Sequence, residues 1–446
     1  MAGMTTGYLV TLAVLFLLWA GVLWKRGPQV ALGAACIAAM LAPRWYELTL
    51  FGLPWDLRTL IATIGLTGIL IHPRGKIRSP LVLLDGLIAA FVLTHVASDT
   101  LNVEFSPWLP LRAYGEWALP YVAGRLAVRN GLDIAGIMPW AIGVLLAMSG
   151  LAIFEAVARI NLFDVLFGPP LEVAGQEKFP RNVLRIGFLR SLGPTEHAIF
   201  HGLVQLCLLP WVWAAARSER LQVIGWIAVV VGILGIAATL SRGPVLGAML
   251  AAGFLLSVWS KWIRWPFVTV IVAATIAVVA MPEQTLTLVG KTFDQDRFRT
   301  DVEIDGERHE MSSTLARYLI LKAYWPAVQN AGPFGFGTEA TNQFPPRVDP
   351  MPEAKRELRA PDNAYLMLTL RFGWIGTVLL PLLLAAAMWT GVRLSEDRSL
   401  LGLPAALAAA LFGIAAAIAT VYPSYDYVFE MLFAVGVIGG MRSFTR

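Results

Sequence analysis

Charge is scarce in this chain. Only 15% of its 446 residues are Asp, Glu, Lys or Arg, 57% are hydrophobic, and the mean hydropathy is +0.65. A soluble domain carries about a quarter charged residues, so a soluble fold is excluded. Cysteine is scarce too: Cys36 and Cys207 both lie inside apolar runs, as small buried hydrophobes do, and imply neither a disulfide nor a zinc site. An internal repeat is missing, and with it the inverted-repeat signature of many secondary transporters. Missing as well is the alternation of polarity over about 10 residues that marks a membrane β-barrel strand.

What the chain has instead is apolar runs of the roughly 17 to 25 residues that a helix needs to cross about 30 Å of hydrocarbon. They predict an all-α polytopic transmembrane bundle. Spans are expected at about 6–24, 28–43, 57–72, 80–98, 111–128 and 134–158 in the first half, and at about 196–216, 221–240, 244–260, 264–281, 364–392, 400–420 and 427–441 in the second. That is about 12–13 spans. The run at 111–128 carries Arg112, Glu116 and Arg125 and is expected to be broken, tilted or buried against its neighbours. Residues 8–24 precede Lys25 and Arg26 without a small-residue cleavage site, so the first helix is expected to be retained.

Alternating the loops gathers Arg74, Lys76, Arg78, Arg129, Arg217, Arg220, Lys261, Arg264, Arg393, Arg398, Arg442 and Arg446 into short connections on one side, which should be cytoplasmic. The formal charge of +5 is thereby an orientation signal, and no nucleic-acid partner is implied. The other side receives 159–195, the Ser241–Gly243 turn and the long segment 282–363. This divides the chain into transmembrane helices over 1–281 with a shorter external loop at 159–195, a long periplasmic loop at 282–363, and C-terminal transmembrane helices at 364–446. Strict alternation puts the N-terminus outside; a re-entrant early segment would put it inside.

The long loop is rich in charge of both signs, and Pro345, Pro346, Pro350, Pro352 and Pro361 limit regular structure. Within it, Leu315, Leu319, Lys322, Ala323 and Trp325 predict a helix over about 313–329 near the membrane surface, capped by Ser312 or Ser313 and able to roof a cavity. Tyr318, Tyr324, Trp325 and Phe344 are suited to stack on sugars or to pack the loop onto the bundle, and packing is the expectation for Trp325.

Arginines dominate the chemistry. Arg185 and Arg190 precede Glu196 and His197 where the shorter loop enters a helix. Guanidinium groups beside a helix start suit an anion such as phosphate. Arg242 lies in the tight turn Ser241-Arg242-Gly243, where an interface arginine that snorkels is the alternative. Arg317 lies on the loop helix, where a solvated arginine is the alternative. Asp362, in Pro361-Asp362-Asn363-Ala364-Tyr365, is either the N-cap of the next helix or a carboxylate able to take a proton from a hydroxyl, a role for which His197 and Glu196 compete. His201 is four residues from His197, but the acidic or cysteine partners of a zinc site are not evident, so no metal and no cofactor is expected.

Taken in order, Tyr121 to Arg125, Phe154-Glu155-Ala156, Arg190-Ser191-Leu192-Gly193-Pro194, Ser241-Arg242-Gly243, Arg317 followed by Gly332-Pro333-Phe334-Gly335-Phe336-Gly337, and Asp362-Asn363-Ala364-Tyr365-Leu366 with Gly373 and Gly376 resemble the O-antigen ligase and polymerase superfamily over about 110–380. The resemblance implies a metal-independent glycan transferase of the bacterial inner membrane, working at its periplasmic face. Its donor would be a polyprenyl-diphosphate-linked glycan and its acceptor a glycan or lipid-linked glycan, with other polysaccharide-assembly proteins as partners. Carried over by position, Arg190, Arg242 and Arg317 would hold the diphosphate and Asp362 would be the base; Arg185, Arg125, His197, Glu196, Asn363 and Tyr365 would bind substrate. Lipopolysaccharide ligases of the family commonly have histidine where this chain has Asp362, which tilts the reading from ligase to polymerase. The alternative from another class, a lipid-linked glycan transporter, needs a charged path through the bundle, whereas these arginines gather toward one face.

Overall fold

The computed structural model describes residues 2–43, 45, 47–50, 53–72, 80–168, 183–293, 300–304, 307–311, 315–343, 345–351 and 361–442. Arg74, Lys76, Arg78, Ser312, Ser313, Phe344, Pro352 and Arg446 lie outside them, and with them the expected cap of the loop helix.

Helices stand wherever the sequence predicts a span. They run α1 Ala2–Arg26, α2 Pro28–Ala39, α3 Leu57–Ile71, α4 Leu83–Asn102, α5 Trp108–Ala113, α6 Leu119–Ala127, α7 Gly131–Ala158, α8 Leu162–Phe167, α9 Ala198–Ala216, α10 Gln222–Ala238, α11 Arg242–Trp259 and α12 Lys261–Ala280. The long loop holds α13 Pro282–Phe293, α14 Ala316–Asn330 and α15 Gly337–Thr341; α16 Ala364–Leu394, α17 Leu403–Ala417 and α18 Tyr425–Arg442 complete the chain. Among the described residues eight helices are long and apolar enough to cross a membrane, and α2, α3 and α10 are shorter apolar ones. Two expected spans carry more charge. The one at 111–128 is broken as foreseen, α5 meeting α6 through a π-helical turn at Tyr114–Ala118. In α18, Asp426 and Glu430 are buried, and Glu430 pairs with Arg58 of α3 at 2.8 Å.

Sequence character sets position in the bundle. The α2 and α9 helices are apolar all round and almost wholly buried, whereas α12 buries no residue and lies outermost against α11. Lipid gives helices no hydrophobic reason to associate, so close packing through small residues holds them. Along α6 and α18, Gly124 meets the Phe433 carbonyl and Gly436 the Tyr121 carbonyl, contacts that any side chain would block.

The strands were not foreseen. Short antiparallel hairpins join Glu47–Leu50 (β1) to Leu53–Asp56 (β2), Leu184–Arg185 (β3) to Phe188–Leu189 (β4), and Thr300–Ile304 (β5) to Glu307–Met311 (β6). A larger correction concerns α16, expected as one span. It is two helices meeting at Gly373, whose φ of 65° and ψ of −161° no helix contains. The backbone groups freed at the break are taken up by the Gly332–Phe336 turn: Phe336 N donates to Leu370 O at 2.7 Å, Trp374 N to Gly332 O at 3.0 Å and Ile375 N to Pro333 O at 3.3 Å. Residues 364–372 thus form a short helix of their own whose end is fixed by the long loop.

The two ends of the bundle differ. At one, Arg217 packs on Gly402 and Gly131 on Ser399. At the other, Tyr8 near the start of α1 donates to Trp55 O, and Trp45 to Gly168 O beyond α8. The N-terminal end of α1 therefore shares the end of the bundle that carries the loops.

Candidate functional site

At the loop-bearing end lies a cavity of about 210 Å³ lined by Arg185, Arg190, His197, Ile199, Phe200, Arg317, Asp362, Thr420, Val421 and Tyr422. Five sequence-predicted residues from three distant parts of the chain meet there: Arg185, Arg190, His197, Arg317 and Asp362.

Each is placed by a local device. The β3–β4 hairpin carries Arg185, whose Nη1 donates to Leu240 O at 3.0 Å, and delivers Arg190, whose Nη2 donates to Ser241 Oγ at 3.0 Å. The buried Nε of Arg190 has no hydrogen-bond partner among the described residues. His197 caps α9, its Nδ1 accepting from Ile199 N at 3.2 Å; with that nitrogen an acceptor, the neutral ring carries its proton on Nε2. Arg317, in the first turn of α14, donates from Nε to Thr420 O at 3.3 Å.

Asp362 is not the cap of α16. The Asn363 side chain is, accepting from Tyr365 N at 2.9 Å and Leu366 N at 3.1 Å. The Asp362 carboxylate beside it lines the cavity instead. Burial pushes the Asp362 carboxyl up from its ordinary value, and the nearby positive charge of Arg317 only partly offsets this. Arg190 moves the opposite way, down to about 10, through burial first and then repulsion by Arg185. The cavity wall gathers three arginines and the single carboxylate of Asp362, and Arg185 repels Arg190 across it. A bound anion would ease that repulsion.

Several expectations fail here. Arg125 lies at the other end of the bundle, where Nε and Nη2 donate to Asp85 at 2.6 and 2.9 Å and Nη1 to Gly439 O at 2.8 Å; it locks α4, α6 and α18 together, away from the cavity. Arg242 begins α11 as an exposed residue outside the cavity wall, and its neighbour Ser241 is what touches Arg190. Glu196, Asn363 and Tyr365 also stand outside that wall. The Tyr365 hydroxyl donates to Ala415 O at 2.8 Å, and the Glu196 N–H donates to Asp426. Trp325 does not pack the loop helix down: it is 47% exposed, and wholly buried Tyr324 fills that role.

A protein-family model described as O-antigen ligase matches residues 227–381. The match covers 155 of the 446 residues. It supports the superfamily that the ordered motifs resemble, whose chemistry at family level is glycan transfer in O-antigen assembly. No curated protein matches the chain. The matched segment runs from within α10 to within α16 and so contains Arg317 and Asp362; Arg185, Arg190, His197 and Tyr422 come from outside it. The cavity is thus closed by parts of the chain on both sides of that segment.

Sequence reasoning missed the Thr420–Tyr422 wall. Its trace is the polar interruption Tyr422-Pro423-Ser424-Tyr425-Asp426 between two apolar helices. Missed too were Arg58 and Glu430, charges hidden inside apolar runs; no role was read for another buried acid, Glu155, although it stands among the ordered motifs. The last is fully buried at the C-terminal end of α7 and accepts from Ser191 Oγ at 2.7 Å, Leu192 N at 3.1 Å and Gly193 N at 3.0 Å.

Proposed function

We propose that the chain transfers a polyprenyl-diphosphate-linked glycan to a sugar hydroxyl at the periplasmic face of the bacterial inner membrane, as a polymerase of O-antigen or exopolysaccharide. One observation carries this reading: three guanidinium groups and one carboxylate line a single small cavity at the loop-bearing end of the bundle. Arg185, Arg190 and Arg317 bind the diphosphate; fixed guanidinium donors suit its oxygens and stay charged at any relevant pH. The acceptor hydroxyl attacks the anomeric carbon of the donor sugar and gives its proton to Asp362. The bond from that carbon to the phosphate oxygen breaks, and its electron pair leaves with the diphosphate. Negative charge grows on that leaving oxygen, so the arginines stabilise the transition state more than the bound donor, which is what lowers a barrier.

Replacing Arg190 or Arg317 singly by alanine, in membranes with normal amounts of protein, is expected to lower polymer formation by about 10²–10³-fold, the size usual for loss of a donor to a developing oxyanion. Lysine at either position should retain part of the rate, since it keeps the charge and loses the paired donors. Undiminished synthesis in all of these variants would overturn the diphosphate site.

A second reading, transfer of finished polymer to a lipid A-core acceptor, draws on the ligase description of the matching family. Aspartate at 362 is the feature that favours polymerase. A deletion strain separates the two: short lipid-linked repeat units accumulate if a polymerase is lost, long lipid-linked polymer if a ligase is lost.

A further inference from the structure

Glu155 ends a membrane helix at the wrong pole. It lies in the last turn of α7, where the helix dipole disfavours negative charge. It is fully buried, and among the described residues no cation pairs with it. A carboxylate so placed costs several kcal/mol unless donors surround it. Four do. Oε1 accepts from Leu162 N at 3.0 Å, and Oε2 accepts from Ser191 Oγ, Leu192 N and Gly193 N. Three of the four come from the residues that directly follow Arg190. On its other side Arg190 is tied into the hairpin by its own N–H, which donates to Val183 O at 3.0 Å.

We propose that Glu155 is a positioning residue for Arg190, its carboxylate folding Ser191–Gly193 into the turn that holds the Arg190 guanidinium at the cavity wall. This rests on the diphosphate reading and adds the element that aims one of its cations. An isosteric amide cannot substitute, because glutamine presents one acceptor oxygen and an NH₂ group that would face N–H donors. A residue that merely holds the fold would affect stability alone. A residue that aims Arg190 must also be energetically coupled to it.

The test is a double-mutant cycle on the full-length protein in lipid nanodiscs, with inorganic pyrophosphate as the titrated probe. Glu155→Gln is expected to weaken pyrophosphate binding on the order of tenfold, the scale on which loss of a supporting hydrogen-bond partner is felt at an ion site. Adding it to Arg190→Ala should weaken binding no further. Asp85→Asn, which removes the brace of Arg125 at the opposite end, should lower the melting temperature and leave pyrophosphate affinity unchanged. Where Glu155→Gln does not accumulate as folded protein, Ser191→Ala deletes one donor to the same carboxylate and should show the same coupling at smaller size. Wild-type affinity in folded Glu155→Gln, or losses that simply add to those of Arg190→Ala, would overturn the positioning role and leave the diphosphate reading standing. Unchanged affinity in Arg190→Ala itself would remove that reading and this role together.

Discussion

Asp362 and Asn363 are adjacent, and the structure gives them different work. Asn363 holds the start of α16 through two backbone N–H groups, whereas Asp362 faces the arginine-lined cavity. Asn363→Ala should therefore cost about 1 kcal/mol of stability, seen as a lower melting temperature, with little change in the pH dependence of transfer. Asp362→Asn should do the reverse, leaving melting unchanged and removing most of the rate. A base must be ionised to work, and burial raises the Asp362 pKa against the lowering effect of Arg317, so the rate falls as pH drops through that raised value. Arg317→Ala removes the lowering influence and should shift the acid limb of the residual rate to higher pH, while Arg317→Lys should shift it less. An acid limb that stays in place in Arg317→Ala would mean that the two groups are not coupled. The sequence offers Arg185, Arg190, His197 and Asp362 as candidates because they stand where a polar loop meets an apolar run, and Arg317 because it lies on the loop helix; the cavity brings the five together. Sequence alone does not separate them from Arg125, which looks the same until Asp85, forty residues away, is seen to claim it.

A break in a helix has to be satisfied from somewhere, and in α16 the Gly332–Phe336 turn does it. Gly373 has φ of 65° and Gly335 φ of 72°, and a side chain on either would run into the backbone of the other segment. Alanine at Gly373 pays for strained backbone, of order 1–3 kcal/mol, and for the clash. Because Asp362 directly precedes Asn363, the cap of the short helix that ends at the break, Gly373→Ala should lower both the melting temperature and the transfer rate. Gly143→Ala, on α7 where nothing lies within 4 Å of the added carbon and φ is not positive, is the milder control. Equal rates in the two would mean that the break does not position Asp362. In sequence this junction is half visible: Gly332-Pro333-Phe334-Gly335-Phe336-Gly337 reads as a turn and Gly373 as a lone glycine in an apolar run. Their pairing is long-range, and hydropathy over 364–392 reads straight through it. The hairpins escape for a related reason, since strands of two to five residues leave too little alternation to detect.

At the scale of the whole molecule, the bundle has a basic-turn end and a cavity end, and the donor reading requires the cavity end to face away from the cytoplasm. Arg217 and Arg398 mark the first through turns that pack together around Gly402, and short loops rich in Lys and Arg stay cytoplasmic. Hydropathy alone leads to this expectation, because orientation depends on where charges fall between apolar runs and not on how the helices pack. The two native cysteines are both buried, so a cysteine introduced at the surface reports its own side with little background. Arg347→Cys lies in the exposed long loop and Glu219→Cys in an exposed turn between α9 and α10. In intact spheroplasts a membrane-impermeant maleimide is expected to label Arg347→Cys and to reach Glu219→Cys only after permeabilisation. The opposite pattern would turn the cavity toward the cytoplasm, and the arginine cluster would then have to act on a donor that has not yet crossed the bilayer.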